Sequence, residues 1–223
     1  MIKPVQAHGN IKRQANKKLR RERIFNIAKS IIAAKGLEDF TIADLAEEAG
    51  VTTPTIHNLF GKKDDIAQEL IEELVLSLKS IMSKPIFDDP IESANFYVDS
   101  ILEMYEGNED FYRSAYMAGE KAGIFNDRES EDSFFKQSEK VAELCCLGAL
   151  KNGFLLGNID INIITRQLYQ CHRTSRQDWV YGAIDLKGYR RQVLEGMLMV
   201  YATDASPECH KRISKELKAI PSK

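Results

Sequence analysis

Apolar residues recur every three or four positions along most of this 223-residue chain, and no stretch gives a convincing period-two strand or hairpin signal. That periodicity admits one fold class, an all-α protein. Punctuation by Gly, Pro and Asp-rich breaks divides the chain into nine or ten helices. The first is read over 20–35, where Ile24, Ile27, Ala28 and Ile31 form a stripe beside Phe25 and Ile32, with Gly36 as its stop. A short helix follows over 41–49, N-capped by Thr41 with Asp44 in a weak capping box. Gly50 ends it, and a second short helix runs over 53–60, capped by Thr52 with Pro54 in its first turn. A long helix starts at Asp64 or Asp65 and ends at Lys84-Pro85. Further helices are expected over 88–106, 109–119, about 129–154, 162–182, 186–203 and 207–219.

Helix, Gly turn, helix over 41–60 is the feature with functional content. A helix-turn-helix needs two short amphipathic helices joined by a tight turn. Its second helix must bury one face and offer the other to the DNA major groove. In 53–60, Ile56, Leu59 and Phe60 cluster on one face. The opposite face centres on Pro54 and Asn58, flanked by Thr55 and His57, and Lys62 and Lys63 follow within reach of phosphates.

Charge supports the same reading. The chain's net charge of -2 is split unevenly. Residues 1–63 hold 12 Lys and Arg against 6 Asp and Glu, whereas residues 64–223 hold 19 against 27. Up to Lys35 there are ten basic residues and one acid, Glu22. Phosphate neutralisation needs such a cluster, and here it adjoins the reading helix. A solvated basic tail is the bland alternative for the same residues.

The stretch RRERIFNIAKSIIAAKGLEDFTIADLAEEAGVTTPTIHNLFGKKDDI resembles the N-terminal domain of TetR-family transcriptional regulators. The resemblance rests on the Arg-x-x-Ile helix, Gly36, Thr41 to Ala46, the Ala49-Gly50-Val51-Thr52 turn, Thr55, Phe60 and Lys63. It implies a basic arm over 1–19, a three-helix DNA-binding domain over 20–64, and a ligand-binding and dimerising bundle over 65–223. It also implies DNA contacts from Arg20, Arg21, Thr41, Thr52, Thr53, Pro54, Thr55, His57, Asn58, Lys62 and Lys63. The chain departs from the family at His57, where Tyr is usual, and around Pro54, where a small residue or Lys is common. Its N-terminal extension is longer than many members carry, and it reads either as a DNA-tracking arm or as a tail or extra helical turn.

The implied partners are double-stranded operator DNA, a second copy of the chain and an unidentified small-molecule effector. Aromatic and Met residues crowd 94–117, so Phe96, Met104, Tyr105, Tyr112 and Tyr116, with Cys145 and Cys171, are candidate pocket residues; ordinary core is the competing reading. Leu168, Trp179, Val193, Met197 and Val200 are candidates for the dimer interface, and Trp179 reads equally as core. The expected function is a ligand-responsive regulator, most simply a repressor. A DNA-binding architectural or partner-responsive protein without an effector is the alternative.

Other chemistry is weakly signalled. Cys145-Cys146, Cys171-His172 and Cys209-His210 lack zinc spacing, and adjacent helical residues point about 100° apart. No catalytic motif is present, no cofactor or metal is expected, and four Cys do not make a disulfide framework. No apolar run approaches the roughly 20 residues of a spanning helix, and the basic N-terminus lacks a signal h-region. A reduced, cytoplasmic protein is the expectation.

Overall fold

The computed structural model describes residues 6–221, with side chains from residue 12. The described residues form ten helices: α1 Gln6–Asp39, α2 Ile42–Glu48, α3 Thr53–Phe60, α4 Lys63–Met82, α5 Pro90–Tyr105, α6 Glu109–Lys121, α7 Phe134–Lys151, α8 Ile161–Val180, α9 Leu186–Ala202 and α10 Pro207–Ala219. The all-α reading holds, since these residues contain only one isolated β-bridge, Leu155 with Ala205. Two compact units divide the chain between Glu72 and Glu73.

Helix α1 departs most from expectation. It begins at Gln6 rather than near residue 20, and it bends at Gly36 (φ 81°) instead of stopping there. Residues 12–20 are exposed throughout, so burial does not hold this segment helical. Its Lys, Arg, Gln and Ala content does, because these side chains lose little freedom in a helix. The expected arm over 1–19 is therefore helical from Gln6, and residues 1–5 of it lie outside the described residues.

The first unit has one small core. Ile24, Phe25, Ala28 and Ile32 of α1 are buried, as are Phe40, Leu45, Ala46, Ala49, Ile56, Phe60, Ile66 and Leu70. Ile27 and Ile31, expected on the same stripe, are only half-buried. Phe25 and Phe60 stack with centroids 6.1 Å apart, which ties α1 to α3.

In the second unit α8 packs against both α7 and α9, and α9 packs against α5 and α10. Gly196 permits the close approach of α9 to α8: a Cβ there would meet the Cys171 Sγ at 3.0 Å. Helix α7 starts at Phe134, later than the expected 129, because Ser133 caps it by accepting from the Lys136 N–H at 3.2 Å. Asp204 is buried and accepts from the Gly157 and Asn158 N–H groups at 2.8 and 2.9 Å, so it holds the α7–α8 loop against the end of α9. No described helix is long and apolar enough to cross a membrane.

Candidate nucleic-acid interface and ligand cavity

Local sequence chemistry sets the geometry of α2 and α3. The Thr41 Oγ1 accepts from the Asp44 N–H at 3.1 Å, while Asp44 accepts from the Thr41 N–H at 3.2 Å, which completes the expected capping box. Asp44 also pairs with Lys35, and that ammonium, with the Thr41 hydroxyl, holds its carboxyl below the ordinary value. After α2 the Val51 N–H reaches back to the Ala46 carbonyl at 2.9 Å across Gly50 (φ 65°), a left-handed position that suits Gly. Arg23 donates to the Ala49 carbonyl at 3.0 Å and so ties the turn to α1.

Thr52 occupies the N-cap of α3 but makes no side-chain cap bond, contrary to expectation. Its hydroxyl instead shares a hydrogen bond with the Thr55 hydroxyl at 3.0 Å, and Pro54 removes one of the N–H groups a cap would serve. The face division holds: Ile56 and Phe60 are buried, while Thr53, Pro54, His57 and Asn58 are exposed beside a partly exposed Thr55. His57 donates from Nδ1 to the Gly61 carbonyl at 2.8 Å. With that hydrogen committed, Nε2 can donate to a phosphate only from the imidazolium.

The basic residues separate into two groups. Arg21 is engaged inside the unit. Its two Nη atoms lie 2.6 Å from the two carboxylate oxygens of Glu69, its Nε donates to the Leu59 carbonyl at 3.2 Å, and its guanidinium lies 4.6 Å over the Phe60 ring. Lys63 donates to the Glu38 carbonyl at 2.7 Å. The structure thus gives Arg21 and Lys63 internal partners where the family resemblance implies phosphate contacts. Thr41 is likewise occupied as a cap. Arg20 and Lys62 are exposed, as are Lys12, Arg13, Lys17 and Lys18, the last only 3.9 Å from Glu22. Arg23 and Glu69, which position the reading helix, carry no local signal in the sequence, because their partners stand 26 and 48 residues away.

The second unit contains a cavity of about 100 Å³. Phe96 and Cys145 line it, as expected, together with Leu78, Ile81 and Met82 of α4 and Tyr97, Tyr169, His172 and Tyr201. The other expected lining residues are elsewhere. Tyr105 stacks on Trp179 at 4.2 Å and donates to the Tyr116 hydroxyl at 2.8 Å, so both tyrosines sit in an aromatic core. Tyr112 packs on Tyr105 and Phe111, Met104 does not reach the cavity wall, and Cys171 faces Gly196. The crowding over 94–117 thus covers two environments in one apolar run, which periodicity alone does not separate.

His172 is buried, lines the cavity and has no hydrogen-bond partner at Nε2 among the described residues. Burial, reinforced by the charge of Arg176 one turn on, holds its imidazole down to about 3. Arg176 is fully buried, accepted by Glu120 at 2.9 Å and sandwiched over Tyr116 and Phe125 at 4.9 and 4.7 Å. Burial also raises the Cys145 thiol and pushes Cys146 up to about 11, so neither favours the thiolate. Among the described residues no group of three His, Cys, Asp or Glu is placed to hold a metal ion.

Four of the expected interface residues are buried within the protomer itself: Leu168, Trp179, Val193 and Met197. A side chain already covered by its own chain offers no surface to a partner, so these are core residues, and only Val200 remains partly exposed. The exposed apolar side chains on α7, α8 and α9 are instead Leu144, Leu147, Ile163 and Met199.

Comparison with known proteins agrees with this architecture. Residues 24–70 match the model of bacterial regulatory proteins of the tetR family. No curated protein matches the chain by sequence. Among solved structures, a TetR-family transcriptional regulator from Marinobacter aquaeolei is similar, with 14% identity, 90% of this chain and 98% of that one covered, and a TM-score of 0.69. SmeT, the repressor of a Stenotrophomonas maltophilia multidrug efflux pump, gives 18%, 85%, 92% and 0.61. CprB from Streptomyces coelicolor, in complex with its operator, gives 16%, 90%, 95% and 0.60. At these identities the likeness establishes the fold.

Proposed function

Starting from a tetR-family helix-turn-helix at residues 24–70, we propose that the chain is a ligand-responsive transcriptional regulator, most simply a repressor, that binds operator DNA as a homodimer. The observation that carries the reading is the exposed face of α3. Thr53, Pro54, Thr55, His57 and Asn58 present small or hydrogen-bonding groups, while Ile56 and Phe60 anchor the helix from behind. Arg20, Lys62 and the exposed cations of the α1 extension supply phosphate contacts around it. The work is binding rather than catalysis, in keeping with regulators of this family.

An effector reading is supported by the cavity, which an effector-free architectural protein has no need to maintain. Helix α4 begins at Lys63, three residues after the reading helix, and its later residues Leu78, Ile81 and Met82 line the cavity. A ligand that favours one position of α4 has a covalent route to the DNA-binding residues. Only differential affinity for two states can shift their populations. The dimer reading now rests on Leu144, Leu147, Ile163 and Met199 as apolar surface for a second copy.

The test is a gel shift of the full chain with its own upstream DNA and a genomic fragment pool at low salt. A specific, competitor-resistant band supports the reading, and its absence refutes it. Sedimentation equilibrium at micromolar concentration tests the dimer, and a monomer there contradicts it.

A further inference from the structure

The cavity of the second unit specifies the chemistry of what it holds, and this inference rests on the effector reading above. Its wall is apolar and aromatic, with Phe87 and Phe96 packed at 4.8 Å and Phe134 among the other rings. No carboxylate lines it, so a cationic ligand would lack a counter-charge. Its one lining cation, Lys84, is already held by Ser100 at 3.2 Å and Glu103 at 3.7 Å. An anionic ligand would therefore have to displace an existing pair.

The other polar wall groups have local partners. The Ser138 hydroxyl donates to the Phe134 carbonyl at 2.8 Å, and the Tyr169 hydroxyl donates to the Phe125 carbonyl at 3.4 Å. His172 Nε2 is the exception: it is buried, on the wall and unpartnered among the described residues. A buried polar atom left unpaired costs free energy that a ligand group can recover. A hydroxyl suits either imidazole tautomer, donating to a bare Nε2 or accepting from an Nε2–H, whereas a carbonyl suits only one.

Size sets the last limit. A cavity of about 150 Å³ accommodates benzene, so about 100 Å³ admits a single ring and little more. We propose that this cavity is a binding site for a small, uncharged, phenol-like molecule whose hydroxyl pairs with His172 Nε2 and whose ring packs against Phe96 and its apolar neighbours.

Isothermal titration of the full-length protein with phenol, toluene and benzoate tests this. Phenol is expected to bind about tenfold more tightly than toluene, as one recovered hydrogen bond implies, and benzoate more weakly than phenol. In His172→Leu the preference for phenol over toluene should fall to about one while toluene binding persists, which reports an intact cavity. Equal affinity for phenol and toluene in the wild type, a preference for benzoate, no binding of any of the three, or a preference unchanged in His172→Leu would overturn the proposal. The regulator reading fails separately. Specific DNA binding without phenol binding removes only this inference, whereas phenol binding without specific DNA binding leaves the site standing and removes the regulator.

Discussion

Arg21 and Glu69 form a two-pronged ion pair, 2.6 Å at each prong, that joins α1 to α4 across 48 residues of sequence while the same guanidinium covers the Phe60 ring. The pair fixes the C-terminal end of the reading helix from both sides, since Arg21 also takes the Leu59 carbonyl. Arg20, its neighbour, is exposed. Two adjacent arginines thus have different work.

Substituting them separately should reveal that division. Arg21→Ala should lower stability by about 1–2 kcal/mol, because it removes charge-assisted bonds at a partly exposed site. Arg20→Ala should leave the denaturation midpoint within about 0.5 kcal/mol and weaken DNA binding similarly across sequences. Urea denaturation and binding titrations read the two effects. Equal stability loss in both variants would contradict the assignment.

The double substitution Thr55→Ala with Asn58→Ala removes polar groups from the exposed face of α3 and no buried atom. Affinity for the preferred site should fall by about 1–3 kcal/mol for each base pair no longer read, with thermal stability nearly unchanged. Fluorescence anisotropy on specific and scrambled duplexes would separate weakened base reading from weakened phosphate attraction. Unchanged specific affinity would remove α3 from the reading role.

Lys12, Arg13, Lys17 and Lys18 extend α1 as an exposed basic run. If they meet phosphates, replacing all four with Gln should flatten the dependence of log K on log salt by about 0.9 for each phosphate that is no longer neutralised. Site preference should survive, since phosphates carry no sequence information. A slope identical to that of the wild type would make the extension a spectator.

Acid should act through His172. Its folded value is depressed to about 3, whereas an unfolded His titrates near about 6.5. Between those values the unfolded chain binds more protons than the folded one, so stability falls as pH falls through that window. The site's share approaches about 1.4 kcal/mol per pH unit. His172→Leu should make the loss of urea-denaturation midpoint between pH 7 and pH 4 smaller than in the wild type. An identical pH profile would show that His172 is not held neutral in the folded protein.

Much of the fold is legible in the sequence because its causes are local. The Thr41–Asp44 box, the Gly50 turn and the Ile56–Phe60 face are set by residues within four positions of one another, and the structure repeats them. The roles of Arg21, Lys63 and Thr52 are not legible in this way, because their partners are distant or because a neighbour, Thr55, competes for the hydroxyl. In the bundle, period alone cannot tell a cavity wall from a packed core. Phe96 and Tyr105 stand nine positions apart on one helix, yet one lines the cavity and the other lies under Trp179. Nor does an apolar side chain declare whether its own chain already covers it, which is why Trp179 and Met197 read as interface candidates.

The central claim is that α3 reads duplex DNA. It is tested most directly by sequencing the genomic fragments that the purified wild-type protein and the Thr55→Ala, Asn58→Ala variant each retain at matched salt. The wild type is expected to enrich a discrete, two-fold-symmetric site with half-sites about one helical turn, roughly 34 Å, apart, and the variant to lose this enrichment while still binding DNA weakly. Enrichment of the same site by both proteins, or of no site by the wild type, would contradict the claim.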